Sequence, residues 1–348
     1  MTALRRIIAR QIRASGPMTV ADYMAVCLSH PRHGYYATRD PFGAAGDFTT
    51  APEISQMFGE MVGLWLAERW QVIGCPAPVR LVELGPGRGT LMADVLRTAR
   101  RVPGWLEAAD PWLVETSPTL RALQAERVPR ARWADSIEAV PEGPLLLVAN
   151  EFFDALPVRQ FLRSAQGWRE TLVGLDGEAL AWGLSDPLPE RGLPADLDWR
   201  EVSPSAEHVA AAVARRIGAH GGAALVIDYG YTAADRPPGP TLQAVRGHAR
   251  AEPLAEPGEA DLTWLPDFDW LGRAFAPLAT ATTTQGAFLR RLGIGARAEA
   301  LARAAPDSAG TVADALERLA GPGMGDSFRV LAAWPDGAPA PPGFEDVA

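Results

Sequence analysis

Along this chain, short apolar runs alternate with stretches of helical period, and each change of period falls at a cluster of glycine or acidic residues. Residues 80–84, Arg-Leu-Val-Glu-Leu, read as a buried strand, and Leu91, Val95 and Leu96 then recur on one helical face. A second strand at Trp112, Leu113 and Val114 ends at Glu115, and the spacing predicts a helix over 120–125. A third, around Arg132 and Trp133, ends at Asp135. Leu145, Leu146, Leu147 and Val148 are continuously apolar, as a strand covered on both faces must be, and lead into Asn150-Glu151. A fifth run, Ala224 to Ile227, ends at Asp228-Tyr229-Gly230. Strands alternating with helices predict an α/β fold with a mostly parallel, doubly wound sheet. Each of the five strands then delivers polar residues to its carboxyl end, where such sheets bind ligands.

The flanking regions read differently. Leu4, Ile7, Ile8 and Ile12 fall on one face of an N-terminal helix that Gly16-Pro17 ends. Residues 40–56 are too rich in turns for a scaffold strand and suit a cover, followed by a helix with Ile54, Phe58, Met61 and Trp65 on one face. The alternation in 159–163 and 168–173 predicts an inserted hairpin, and Ser203-Pro204 opens a helix carrying Val209, Val213 and Ile217. The expected organisation is an N-terminal helical cover at 1–76, a core made of 77–157 and 220–334, and an inserted hairpin and helix at 158–219. A loop-rich, lid-like insertion spans 232–266, and a tail at 335–348 is too rich in proline to pack.

Composition narrows the function. The net charge of −9 argues against a broad basic surface for nucleic acid. No apolar run approaches the ~18 residues of a membrane-spanning helix. All 33 basic residues are arginine, which excludes Schiff-base chemistry and the P-loop lysine. Cys27 and Cys75 stand far apart without a C-x-x-C pair, so neither a disulfide framework nor a zinc site is expected and a reducing cytoplasm fits. His30 and His33 lie in a turn and give no metal signal.

The chemistry gathers at the first strand-to-helix junction, Val82-Glu-Leu-Gly-Pro-Gly-Arg-Gly-Thr90. Gly85, Gly87 and Gly89, with Pro86 between them, let the backbone turn sharply and leave a ligand unobstructed access to the helix N-terminus at Thr90. The spacing is G-x-G-x-G, and position 90 lacks the third glycine of the dinucleotide fingerprint, so NAD is disfavoured. Glu83 would repel a pyrophosphate but suits a cation. S-adenosylmethionine, with a sulfonium and an ammonium and no phosphate, matches that acid. Glu115 at the end of the second strand, followed by Thr116 and Ser117, is placed to accept from ribose hydroxyls, and Asp135 from the adenine amine. Asn150 ends the fourth strand at the same edge. Asp47, Thr49, Thr50, Glu53 and Gln56 can line the ligand mouth from the cover. Glu151 and Asp154, three residues apart, supply two carboxylates that can hold a guanidinium by bidentate hydrogen bonds and aim one nitrogen at a methyl sulfonium. Whether Asp228 joins them stays open.

These blocks resemble the MidA family of class I methyltransferases, which includes a mitochondrial complex I assembly factor that methylates arginine. The resemblance runs from about residue 5 to 334 and is strongest in Gly46-Asp-Phe-Thr-Thr-Ala-Pro-Glu-Ile-Ser-Gln-Met-Phe-Gly-Glu60, the Val82 block and Asn150-Glu-Phe-Phe-Asp-Ala-Leu-Pro157. Thr241-Leu-Gln-Ala-Val-Arg246 and Thr284-Gln-Gly-Ala-Phe-Leu289 carry it further. It implies a Rossmann-like class I methyltransferase fold, S-adenosyl-L-methionine as cofactor, no metal, and a protein substrate carrying the target arginine, in the mitochondrial relative the large catalytic-core subunit of complex I. The chain departs from the family pattern twice. Tyr231 follows Asp228-Tyr-Gly230 where the family has His, and Trp264-Leu-Pro-Asp-Phe268 stands where it has Ala-His-Val-Asp-Phe. A small-molecule methyltransferase and a cofactor-binding assembly partner without catalysis remain as rival readings. The target, the number of methyl groups and the oligomeric state are not legible in the sequence.

Overall fold

The computed structural model describes residues 2–38, 50–188 and 197–345. Asp47 and Thr49, the rest of the turn-rich cover from 40 to 49, residues 189–196 of the insertion and the last three of the tail lie outside the described residues. The chain divides into two compact units. One consists of residues 1–48, 154–206 and 235–265, and the other of 49–153, 207–234 and 266–348.

The larger unit is built on a seven-stranded sheet. Its strands are β1 (Val79–Leu84), β2 (Ala109–Val114), β3 (Arg132–Ala134), β4 (Leu145–Asn150), β5 (Gly222–Tyr229), β6 (Ala279–Thr284) and β7 (Phe328–Trp334). They lie in the order β6-β7-β5-β4-β1-β2-β3. The first five run parallel, and β7 is antiparallel to both β5 and β6. Leu84 sits opposite Val114 on one side and Ala149 on the other, so the carboxyl ends of β1, β2 and β4 are level. The strand order reverses between β1 and β4, which makes the crevice beyond their ends the ligand position of such a sheet. Every residue of β4 is buried, in keeping with its uninterrupted apolar sequence.

Helices α1 (Gln56–Val72), α2 (Thr90–Ala99), α3 (Pro118–Arg127) and α4 (Pro204–His220) flank the sheet connections. α1 approaches α2 through glycine: a Cβ on Gly59 would stand 2.4 Å from Cβ of Asp94, and one on Gly63 3.0 Å from Cβ of Thr98. Glu60 on α1 holds Arg297 by two hydrogen bonds of 2.7 and 2.9 Å. The buried Arg216 of α4 donates to the carbonyls of Ile137, Val140 and Pro141. No described helix is long and apolar enough to cross a membrane.

The smaller unit contains the expected hairpin, Arg159–Ser164 with Gly167–Asp176, turning between Ser164 and Gly167. Met18–Thr19, Ala179–Leu184 and Trp199–Val202 complete its sheet. The lid-like insertion folds into a second sheet of three strands, Gln243–Arg246, Ala249–Ala251 and Asp261–Thr263. Buried Glu201 fastens it, accepting from Gln160 Nε2 (2.8 Å), Thr241 N (2.9 Å) and Thr241 Oγ1 (2.6 Å).

Two expectations are corrected. The N-terminal region to residue 76 is not one body, because α1 belongs to the sheet-bearing unit, where its glycines fit α2. Nor is the proline-rich tail loose through Glu345. Arg69 donates to Pro339 O (2.9 Å) and Arg291 to Gly343 O (2.9 Å), while Phe344 is fully buried with its ring 5.6 Å from that of Phe288. The prolines set turns whose carbonyls find arginine donors, and one aromatic ring anchors the segment.

Candidate functional site

β1 runs into the glycine turn at Gly85, and all three glycines hold positive φ, 59°, 50° and 78° at Gly85, Gly87 and Gly89. The turn closes with Gly89 N donating to Pro86 O (2.7 Å), and Gly89 is the N-cap of α2. At Gly85 a Cβ would come within 2.9 Å of the Phe152 ring, so the turn and the segment after β4 lie against each other. Glu83, one residue before the end of β1, is buried, and burial pushes its carboxyl up to about 8; the Met92 backbone N–H opposes that shift and the Asp94 charge adds to it. Its Oε2 has no hydrogen-bond partner among the described residues.

Thr90 opens α2 with its hydroxyl bonded to the Glu53 carboxylate, and Arg127 reaches both. Thr50 is the buried N-cap of the short helix Ala51–Ile54, and Gln56 is exposed at the start of α1. Beyond β2, Glu115 Oε1 accepts from the backbone N–H groups of Thr116 and Ser117, both at 2.7 Å. Burial raises the Glu115 carboxyl above its ordinary range, and these donors hold the rise back. Ser117 caps α3, accepting from Leu120 N (3.4 Å). Asp135 is exposed and pairs with Arg121 at 2.6 Å. Arg121 also donates to the carbonyl oxygens of Glu115 and Ala134, tying the ends of β2 and β3 together.

The segment after β4 is fixed through its main chain. Asn150 is buried, its Nδ2 donates to Glu151 Oε1 (3.2 Å), and its Oδ1 has no hydrogen-bond partner among the described residues. Glu151 N donates to Ile227 O (2.9 Å), yet its φ is +51°, a left-handed backbone that costs a non-glycine residue free energy and concentrates at functional sites. Asp228, fully buried at the end of β5, accepts the N–H groups of Phe152 and Phe153 on Oδ2. That geometry makes Asp228 a positioning residue for the segment.

With this geometry in hand, comparison with known proteins decides the family. Residues 61–285 match the family model described as "Putative S-adenosyl-L-methionine-dependent methyltransferase". The chain belongs to this family of S-adenosyl-L-methionine-dependent methyltransferases. The methyltransferase is 37% identical over 337 residues to "Protein arginine methyltransferase NDUFAF7, mitochondrial" of Homo sapiens, covering 86% of this chain and 76% of the human one. It is 37% identical over 329 residues to the Danio rerio protein of that name, covering 84% and 77%. A solved Burkholderia thailandensis structure bound to S-adenosyl-homocysteine superposes with a TM-score of 0.85 at 26% identity, covering 99% of this chain and 95% of that one.

The residues of the methyltransferase fit its cofactor. The turn holds three glycines at positive φ with no side chain between backbone and ligand, the partnerless Glu83 oxygen offers an acceptor to a donor group, and Glu115 offers a carboxylate at the level of the turn. Sequence reasoning missed Gln124 and Trp133 beside Glu115. Gln124 lies four residues after Leu120 on the buried face of α3, and a lone polar residue at a core position of an amphipathic helix was the signal to follow.

In the smaller unit, Asp154 is buried, and its carbonyl accepts from Trp264 N (3.1 Å) while Leu156 O accepts from the Trp264 indole (3.0 Å). Trp264, one of the two departures from the family pattern, therefore packs on the segment that carries Asp154. Tyr36 donates to the Asp261 carboxylate at 2.9 and 3.0 Å, and burial, then Asp261 and Asp154, hold its hydroxyl well above the ordinary tyrosine range. The other departure, Tyr231, is buried in the sheet-bearing unit, its N–H on Pro266 O (3.1 Å) and its carbonyl accepting from Phe268 N (2.8 Å).

Proposed function

We propose that this methyltransferase transfers methyl groups to a guanidinium nitrogen of arginine in a protein substrate, and that the substrate is a subunit of respiratory complex I. The observation that carries the reading is the segment after β4, which sets the acids Glu151 and Asp154 three residues apart on a main chain pinned by Asp228. The names of the relatives support the substrate class, and the family resemblance supports the complex I target. Bound cofactor supplies an electrophilic methyl group on a sulfonium and departs as a thioether.

The chain's own residues do the rest. Glu151 accepts an N–H hydrogen bond from the guanidinium and orients one nitrogen; as the N–C bond forms and the methyl's bond to sulfur breaks, that nitrogen releases its proton to the Glu151 carboxylate. Positioning of reacting groups contributes at most about 7–11 kcal/mol to lowering a displacement barrier. Glu83 would offer its partnerless oxygen as a hydrogen-bond acceptor to the ammonium group of the methyl donor, and Glu115 its carboxylate to the ribose.

The test is incubation with radiolabelled S-adenosylmethionine and a lysate from cells lacking the gene, followed by hydrolysis of the labelled protein. Labelled methylarginine in a complex I subunit is the expected result. Label in a small molecule alone overturns the substrate class, and cofactor binding without any label supports a non-catalytic assembly role instead.

A further inference from the structure

We propose that Gln124 is a positioning residue that fixes the Glu115 carboxylate for the ribose hydroxyls of the methyl donor. The inference rests on the methyltransferase reading and on the placement of the ribose at Glu115.

Gln124 is fully buried on α3, where a polar side chain persists only if its hydrogen bonds are made. All of its polar atoms are engaged. Nε2 donates to Gly87 O (2.7 Å) and to Glu115 Oε2 (3.4 Å), while Oε1 accepts from the Trp133 indole (2.8 Å). The chemistry of these partners settles which way the amide faces, since two acceptors lie on one side and a donor that cannot accept lies on the other. One side chain thus joins the middle glycine of the turn, the acid beyond β2 and an indole of β3.

Glu115 is held at both oxygens as a result. Oε1 is anchored by the backbone N–H groups of Thr116 and Ser117, and Oε2 by Gln124. A carboxylate fixed in this way keeps lone pairs in one place for a diol, whereas a strand-end glutamate on a single anchor rotates about its last torsion. Preorganisation of an acceptor by a buried supporting residue is the usual source of such selectivity. The Gly87 bond adds register, because the carbonyl bound by Gln124 belongs to the turn that approaches the same ligand.

The test compares Kd values of the full chain for S-adenosylhomocysteine and for its 2′-deoxy and 3′-deoxy analogues by titration calorimetry. In the wild type each missing hydroxyl should weaken binding by about tenfold, as for a hydrogen bond to a charged acceptor. Gln124→Met, which keeps the volume, should weaken S-adenosylhomocysteine while the deoxy analogues bind almost as well as the parent. Trp133→Phe removes the indole donor while leaving Gln124 in place and should shrink the deoxy penalty partway, which keeps the test usable if Gln124→Met does not fold. A wild-type penalty that persists undiminished in the variants overturns the role of Gln124. Parent binding with no wild-type penalty also overturns it while leaving the methyltransferase reading intact, and absence of any binding to the wild type removes both.

Discussion

Asp228 accepts the backbone N–H of Phe153 at 2.9 Å, and the same oxygen takes that of Phe152 at 3.2 Å. A carboxylate from one strand therefore shapes the segment leaving the neighbouring strand. Asp228→Ala leaves one buried and one part-buried donor without this acceptor and should cost about 2–5 kcal/mol in urea unfolding. Asp228→Asn keeps an acceptor oxygen and should lose less than half of that. Methyl transfer should fall in both variants in step with loss of the segment's geometry, and equal stability of wild type and Asp228→Ala would refute the positioning role.

Glu83 ties stability to pH. Its carboxyl titrates near 8 in the folded chain and near 4.5 when unfolded, so between those values the folded state holds a proton that the unfolded state has released. Stability therefore falls as pH rises through this window, by about 1.4 kcal/mol per unit from this one group. Thermal unfolding of Glu83→Gln between pH 6 and 8 should show a Tm that declines less than the wild type's.

Gly87→Val places a β-branched side chain at φ 50° in the turn and should abolish binding of S-adenosylhomocysteine. Circular dichroism of the variant should match the wild type, because the turn is not part of the sheet core. If the variant still complements a deletion strain, catalysis is not the chain's essential role.

Glu151→Gln retains the shape of the side chain and removes its charge. Cofactor affinity should stay within a few fold, and transfer to protein arginine should be lost; a variant as active as the wild type would eliminate Glu151 from the site.

Gly59→Ala tests the approach of α1 to α2. Its methyl would lie 2.4 Å from Cβ of Asp94, and overpacking at such a contact costs about 1–3 kcal/mol. Calorimetric Tm is the readout, and a neutral result would mean that the two helices separate without penalty.

The parallel core was legible because its evidence is local: the apolar run at 145–148 is continuous, the glycines at 85, 87 and 89 stand between a strand and a helix, and Ser117-Pro118 announces a cap. The antiparallel placing of β7 was not, since nothing in 328–334 distinguishes a strand that runs backwards beside β5 from one that runs forwards. The division of the chain was hidden for a similar reason. Residues 158–219 and 232–266 each read as insertions in the core, and only three-dimensional contacts such as Glu201 with Thr241 unite 154–206 with 235–265. Gln124 escaped because its significance lies in bonds to Gly87, Glu115 and Trp133, which belong to three other elements, whereas Glu83 and Glu151 declare themselves by their neighbours.

The left-handed backbone at Glu151 sets durability against reaction at a single residue. Glycine relaxes that φ, removing about 1–2 kcal/mol of strain against a loss of about 0.5–1 kcal/mol in chain entropy. A screen that rewarded only heat resistance would drift toward Glu151→Gly and discard the acid, so any stabilised version of this chain should be checked at this position before it is credited as an improvement.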